Sequence, residues 1–168
     1  MAKKKTDKTL EDLFLETLKD MYYAEKKIMT ALPKMAKAAQ SQDLARAFKM
    51  HAEETETQIS RLEQVFGFME KKPAGKTCPA INGMVKEAQE VMKDFKGSPA
   101  HDAGLLSAAQ AVEHYEIARY GTLCAWSEEL GWKDVSTVLA ASLAEEKRTD
   151  KKLTELAEAG VNFQAEAA

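Results

Sequence analysis

Two cysteines, four prolines and eight glycines are all that this chain of 168 residues holds of the types that staple, break or turn a backbone. Cys78 and Cys124 stand far apart and in no metal-ligand spacing, so the expectation is reduced thiols in a cytoplasmic protein. No apolar run approaches the roughly 18 residues that a membrane span requires. No apolar segment follows Lys3-Lys4-Lys5, so no secretory signal is expected. Positive charge is not in excess. With 30% charged residues, both signs interspersed and a net charge of -3, the chain carries no footprint for nucleic acid. It also has no Gly-rich phosphate loop and no nucleophile–His–Asp setting, so a nucleotide enzyme or hydrolase is not supported. Sustained two-residue alternation is missing too, and strands are not expected.

What remains reads as helix. Pro33 sits late in the first long segment, Pro73, Gly75, Pro79 and Gly83 mark the middle, and Gly97, Pro99 and Gly104 precede the third segment. Between them apolar residues recur at three and four, the period of a helix with one buried face. That face carries Phe14, Leu18, Met21, Glu25, Ile28 and Leu32 on the first segment, and Leu44, Phe48, His51, Glu54, Gln58 and Leu62 on the second. On the third it carries Leu106, Ala109, Glu113, Glu116, Tyr120 and Cys124, and on the fourth Val135, Leu139, Leu143, Glu146, Asp150 and Leu153. Short links near 39–43 and 131–133 make two antiparallel hairpins, with Asp43 and Asp134 as expected N-caps. Pro33 should end or bend the first helix.

The hairpins are joined by about thirty residues, Lys71 to Ala100, a length that suits the ferritin-like version of the four-helix bundle. This link contains an amphipathic piece of its own with Ile81, Met84, Val85, Val91, Met92 and Phe95. The expected fold is therefore all-α: a ferritin-like four-helix bundle of two helical hairpins joined by a long crossover containing a short extra helix. One domain over 1–168 is expected, since 45% of residues are apolar or aromatic, with about 1–8 and 160–168 frayed.

An internal repeat points to chemistry. Ala52-Glu53-Glu54-Thr55-Glu56-Thr57-Gln58 returns as Ala144-Glu145-Glu146-Lys147-Arg148-Thr149-Asp150, and each word follows a helix with an inward glutamate, Glu25 or Glu116. Glu54 and Glu146 are separated by 92 positions and Glu25 and Glu116 by 91, which reads as one shared shift. Helix arithmetic then brings four glutamates from four helices to similar heights. Carboxylates in an apolar interior repel one another and lose hydration, at several kcal/mol per unpaired ion in rough terms. Protonation, a buried cation or a metal relieves this. Arg61 and Arg119 are the nearest cations, two charges against four to six carboxylates. Hard oxygen ligands with at most one imidazole suit iron, manganese or magnesium better than copper or zinc, and a metal pair bridged by glutamate is the economical answer.

The metal candidates are Glu25, Glu54, Glu116 and Glu146, with His51, Glu113 and Asp150 as further ligands or partners of ligands. Each has a plainer reading beside it, as a structural ion pair or, for His51, a satisfied core histidine. Gln58 stands where Asp150 does in the repeated words. Glu53 and Glu145 should face solvent, and His101 and His114 the surface. Tyr22, Tyr23, Tyr115 and Tyr120 flank the site as packing aromatics or as redox-active neighbours.

Several words together resemble the YciF family of ferritin-like stress proteins, akin in pattern to rubrerythrin and ferritin. They are Asp20-Met21-Tyr22-Tyr23-Ala24-Glu25-Lys26, Ala31-Leu32-Pro33-Lys34-Met35-Ala36-Lys37-Ala38-Ala39, His51-Ala52-Glu53-Glu54-Thr55 and Arg61-Leu62-Glu63-Gln64. The second hairpin adds Ala109-Gln110-Ala111-Val112-Glu113-His114-Tyr115-Glu116-Ile117-Ala118 and Leu143-Ala144-Glu145-Glu146-Lys147 with Asp150. The resemblance spans about residues 9 to 158. It implies a ferritin-like bundle, a homodimer, a dinuclear metal centre and a role in stress. One departure bears on activity. The Glu-x-x-His of di-iron bundles is missing, because Thr57 and Thr149 stand three residues after Glu54 and Glu146.

Two functions compete at this level. One is a dinuclear iron or manganese centre meeting a small oxidant such as oxygen or peroxide, with Glu25 and Glu116 as terminal ligands and Glu54 and Glu146 as bridges. The other is a metal-free helical stress or interaction protein whose apolar middle link forms an interface.

Overall fold

Thr9 starts the first helix by a reciprocal pair of bonds. Its hydroxyl accepts from the Asp12 amide at 3.2 Å while its own amide donates to the Asp12 carboxylate at 2.9 Å. The computed structural model describes residues 7–166; the remaining positions of the termini expected to fray lie outside it. Helix α1 runs Leu10–Ala38, α2 Gln42–Phe68, α3 Pro79–Asp94, α4 His101–Glu129 and α5 Lys133–Leu156. A π-helical turn, Ala157–Val161, and a short α6, Asn162–Glu166, follow. Val161, within the stretch expected to fray, is buried. There is no strand among the described residues.

Helices α1 and α2 pack as one hairpin and α4 and α5 as another, while α2 faces α5 and α1 faces α4. Helix α3, the amphipathic piece of the long link, lies on α4 and α1. Ile81 and Ala88 are buried beneath it, Met84, Val85, Val91 and Met92 are partly covered, and Phe95 stays exposed. Gly104 permits the approach, because a Cβ there would sit 2.7 Å from the Val91 Cγ1.

Helix ends depart from expectation in three places. Pro33 does not end α1, which continues over a last turn whose Met35 and Ala36 are buried; their packing outweighs the one backbone bond that proline removes. Helices α2 and α5 begin two residues earlier than Asp43 and Asp134 would cap. Ser41 caps α2, and the aspartates fall in the first turns, where their charge complements the helix dipole. Helix α4 ends at Gly131, whose φ of 74° is left-handed, with the Trp132 amide reaching the Ser127 carbonyl at 2.8 Å.

Two apolar cores divide the bundle along its length. One gathers Phe14, Leu18, Leu62, Phe66, Leu123 and Leu139; the other gathers Ile28, Leu32, Leu44, Phe48, Leu105 and Leu153. On every helix the residues of chemical interest sit between the two.

The hairpins are fastened at one end. Asp102, in the first turn of α4, accepts from the Gln40 amide at 2.8 Å and the Ser41 amide at 2.6 Å, and so holds the α1–α2 turn. Beside it His101 is buried, with its Nε2 3.1 Å from the Ala38 carbonyl, not at the surface as its loop-end position suggested. Replacing Asp102 with Ala leaves two part-buried amides without their acceptor and is expected to cost about 2 kcal/mol. Denaturant unfolding measures it, and an unchanged midpoint would remove the clamp from this account.

Candidate metal centre

Between the apolar cores the bundle buries a histidine and four glutamates. His51 and Glu113 are each 2% exposed, and Glu25, Glu116 and Glu146 are fully buried. Ligand atoms of His51, Glu113, Glu116 and Glu146 all lie within 4.8 Å of one another. His51 Nδ1 is 3.4 Å from Glu113, and its Nε2 is 3.9 Å from Glu116, both too long for hydrogen bonds. Glu25 faces them from α1, its charge coupled to Glu146.

Few donors reach this group. The Tyr120 hydroxyl donates to Glu25, and the Gln58 amide donates to Glu146 and, at 3.1 Å, to Glu145. Both Glu116 oxygens, both His51 nitrogens and one oxygen each of Glu25, Glu113 and Glu146 have no hydrogen-bond partner. Buried polar atoms are ordinarily paired, so this concentration of orphans on one donor set needs an explanation. The electrostatics of the cluster carry the same tension. Burial, with the repulsion of neighbouring carboxylates, holds Glu25, Glu113 and Glu116 well above the usual carboxylate range. Burial also pushes Glu146 up to about 7, against hydrogen bonds from its neighbours, and pushes His51 down to about 4. In the metal-free protein at neutral pH, His51 is therefore an unprotonated imidazole, able to ligate.

The expected residues divide. Glu25, Glu116, Glu146, His51 and Glu113 are brought together. Glu54 and Asp150 are not. Glu54 has a third of its side chain exposed, with one oxygen 3.6 Å from Arg148 and the other accepting from the Thr149 hydroxyl at 3.2 Å. Asp150 lies near the surface, 3.1 Å from the exposed His114 and within reach of Gln110.

The cause is a one-residue offset. The buried positions of α2 include Leu44, Phe48, His51, Thr55, Gln58 and Leu62; those of α5 include Val135, Leu139, Ser142, Glu146 and Leu153. A shift of 91, the one that relates Glu25 to Glu116, carries all of the first six but Gln58 onto the second set and pairs Glu146 with Thr55. The shift of 92 in the repeated words turns Glu54 about 100° away from that face. Alternating steps of four and three from Leu44 were the signal in the sequence that selects Thr55. Two cations are also placed differently from expectation. Arg61 grips Glu145 with both nitrogens, at 2.5 and 2.8 Å, so Glu145 is half-buried and not free in solvent. Arg119 lies over the Tyr115 ring, 3.8 Å from Asp20.

Similarity to known proteins extends over nearly the whole chain. A family model described as a domain of unknown function, DUF892, matches residues 9–166. Protein YciF of Escherichia coli (strain K12) is 45% identical over 160 residues, covering 95% of this chain and 96% of that protein. The crystal structure of that E. coli stress protein aligns with a TM-score of 0.88 over 92% of this chain and 98% of its own. The structure of YcfI from Rhodopseudomonas palustris, supposed to be a structural protein, is 49% identical and aligns with a TM-score of 0.86 over 90% of this chain and 97% of that one.

The buried carboxylates set a pH dependence. Glu146 titrates at about 7 when folded against an ordinary 4.5, so between these values the folded state holds the proton that the unfolded chain releases. Glu25, Glu113 and Glu116 act in the same direction. The stability that these groups confer is fully present below about 4.5 and falls as pH rises above it, the Glu146 share being lost as pH passes about 7. His51 opposes them, losing stability as pH falls from 6.5 toward 4, but it is one group against four. The metal-free protein is expected to melt higher at pH 5 than at pH 8, and Glu116→Gln to flatten the profile. A melting temperature that climbs between these pH values would contradict the burial.

Proposed function

The chain belongs to the DUF892 family and is a relative of the stress protein YciF, and we propose that it is a stress-associated protein holding two iron or manganese ions inside its bundle. The observation that carries this reading is the set of orphaned, buried ligand atoms on His51, Glu113, Glu116 and Glu146, mutually close, with a further orphaned oxygen on buried Glu25. Four carboxylates bring four negative charges, which two divalent ions neutralise, while the imidazole is already neutral. An all-oxygen set with one nitrogen suits iron or manganese. Bound ions of this kind would supply a redox centre and a Lewis acid for a small oxidant such as oxygen or peroxide.

The chain's own groups prepare the place. Gln58, fixed between Glu145 and Glu146, orients the Glu146 carboxylate. Tyr120 does the same for Glu25 and excludes water from that wall. The arrangement of hairpins supports a ferritin-like bundle in which the stretch holding α3 is the crossover, the whole chain acting as one domain. A homodimer in the cytoplasm completes the reading. No helix among the described residues is long and apolar enough to cross a membrane. The likeness to YcfI supports a second reading, a metal-free helical stress protein acting through its surface.

Elemental analysis of untagged protein, purified without chelator, decides between them. About two iron or manganese ions per chain are expected, lost in Glu116→Gln and Glu146→Ala with helical content unchanged. No bound metal, even after anaerobic loading with iron(II), would leave the second reading standing.

A further inference from the structure

Glu54 belongs to the repeated words but not to the buried cluster, and its place suggests a different task. It lines a cleft of about 560 Å³ between α2 and α5, together with Met50 and His51 on one wall and Arg148, Thr149 and Leu153 on the other. His51 is buried among these, 2% exposed, with neither ring nitrogen in a hydrogen bond. Glu54 follows it by one turn of helix and reaches solvent. The cleft thus connects water to a ligand of the cluster, past a carboxylate that keeps part of its hydration.

Among the described residues, other approaches to the cluster are narrower. Farther along α2, Gln58 and the Arg61–Glu145 pair seal the gap to α5. Tyr120 covers Glu25. Beneath α3 a second cavity touches His51 and Glu113, but it measures about 20 Å³ and its walls are Ile28, Leu32, Met84, Val85 and other apolar residues. That is room for about one water and too little for a hydrated ion. The α2–α5 cleft also offers no free positive charge to repel a cation. Arg46 is paired with Asp43, Arg148 with Glu54, and Lys152 with Glu155.

We propose that this cleft is the entry route by which a divalent cation reaches the buried cluster, and that Glu54 is the residue that first takes it from water and passes it to His51. The inference rests on the metal-binding reading above. The incoming ion displaces Arg148, a loose and exposed partner, from Glu54, then exchanges Glu54 for the inner ligands. Because Glu54 binds the ion only in transit, removing its charge slows entry and exit by the same factor and leaves the final occupancy unchanged.

The test follows cobalt(II) uptake by the metal-free full-length protein in a stopped-flow instrument, and its release to excess chelator. For Glu54→Gln, entry and release are both expected to slow by at least about fivefold, with wild-type stoichiometry at the end and a weaker dependence of the rate on salt. Ala47→Trp, which fills the cleft without touching a charge, should slow both as well, and Arg148→Ala should hasten them. Final occupancy that falls in Glu54→Gln, as in Glu146→Ala, would make Glu54 a ligand and overturn the entry role. Unchanged rates in Glu54→Gln and Ala47→Trp, with wild-type occupancy, would overturn the route and leave the metal centre intact. Wild-type protein that takes up no cobalt(II), iron(II) or manganese(II) would sink both.

Discussion

Carboxylates kept from water set the terms for the rest of this molecule. Glu25, Glu113, Glu116 and Glu146 are buried in a bundle whose interior on either side of them is largely aliphatic and aromatic. Ionised and unpaired, each costs several kcal/mol in rough terms, a large share of the stability that a domain has to spare. The apolar cores on either side must carry that load, and the buried Leu, Phe and Met of α1 and α2 with the buried leucines of α4 and α5 are what makes it bearable. Protons relieve the strain without metal, and divalent ions relieve it more completely. The bundle is consequently a structure whose most favourable state depends on what occupies its middle.

The two hairpins do not share this load equally. Where α4 presents Glu113, the equivalent place on α1 is Tyr22; where α5 presents Glu146, the equivalent place on α2 is Thr55, whose hydroxyl turns back to the His51 carbonyl at 2.9 Å. The first hairpin thus contributes one carboxylate and the imidazole, and the second contributes three carboxylates. Helix α2 has become the side of the cluster that holds neutral ligand and donor, His51 and Gln58, and that opens to solvent. An internal repeat has produced an asymmetric cluster, with an acidic half and a half that borders the cleft.

Much of this was legible in the sequence. Three- and four-residue periodicity marked the helices, short and long links distinguished the hairpins from the connection between them, and Glu25, Glu113, Glu116, Glu146 and His51 all fall on inward faces. What went astray did so for physical reasons. Word similarity between the two halves favoured Glu54 over Thr55, whereas helical phase, which packing obeys, favours the reverse; one residue is a quarter turn and more. His101 and Asp102 looked like ordinary residues at a loop end, because their partners, the Ala38 carbonyl and two backbone amides of another hairpin, carry no side-chain signature. The pairing of Arg61 with Glu145 was hidden likewise, since it depends on the rotation of α5 against α2.

The bond from Asp102 to the Gln40 and Ser41 amides has a consequence for how the halves find each other. Helices with smooth apolar faces can slide, because Leu against Leu is nearly as good one turn up or down. Sliding by a turn, about 5.4 Å, would separate Glu25 and His51 from their counterparts on the second hairpin while costing the apolar cores little. A carboxylate that matches two particular amides tolerates no such displacement. It works as an indexing pin, turning an association that is indifferent to register into one with a single alignment, the one in which four buried carboxylates and an imidazole from four helices meet.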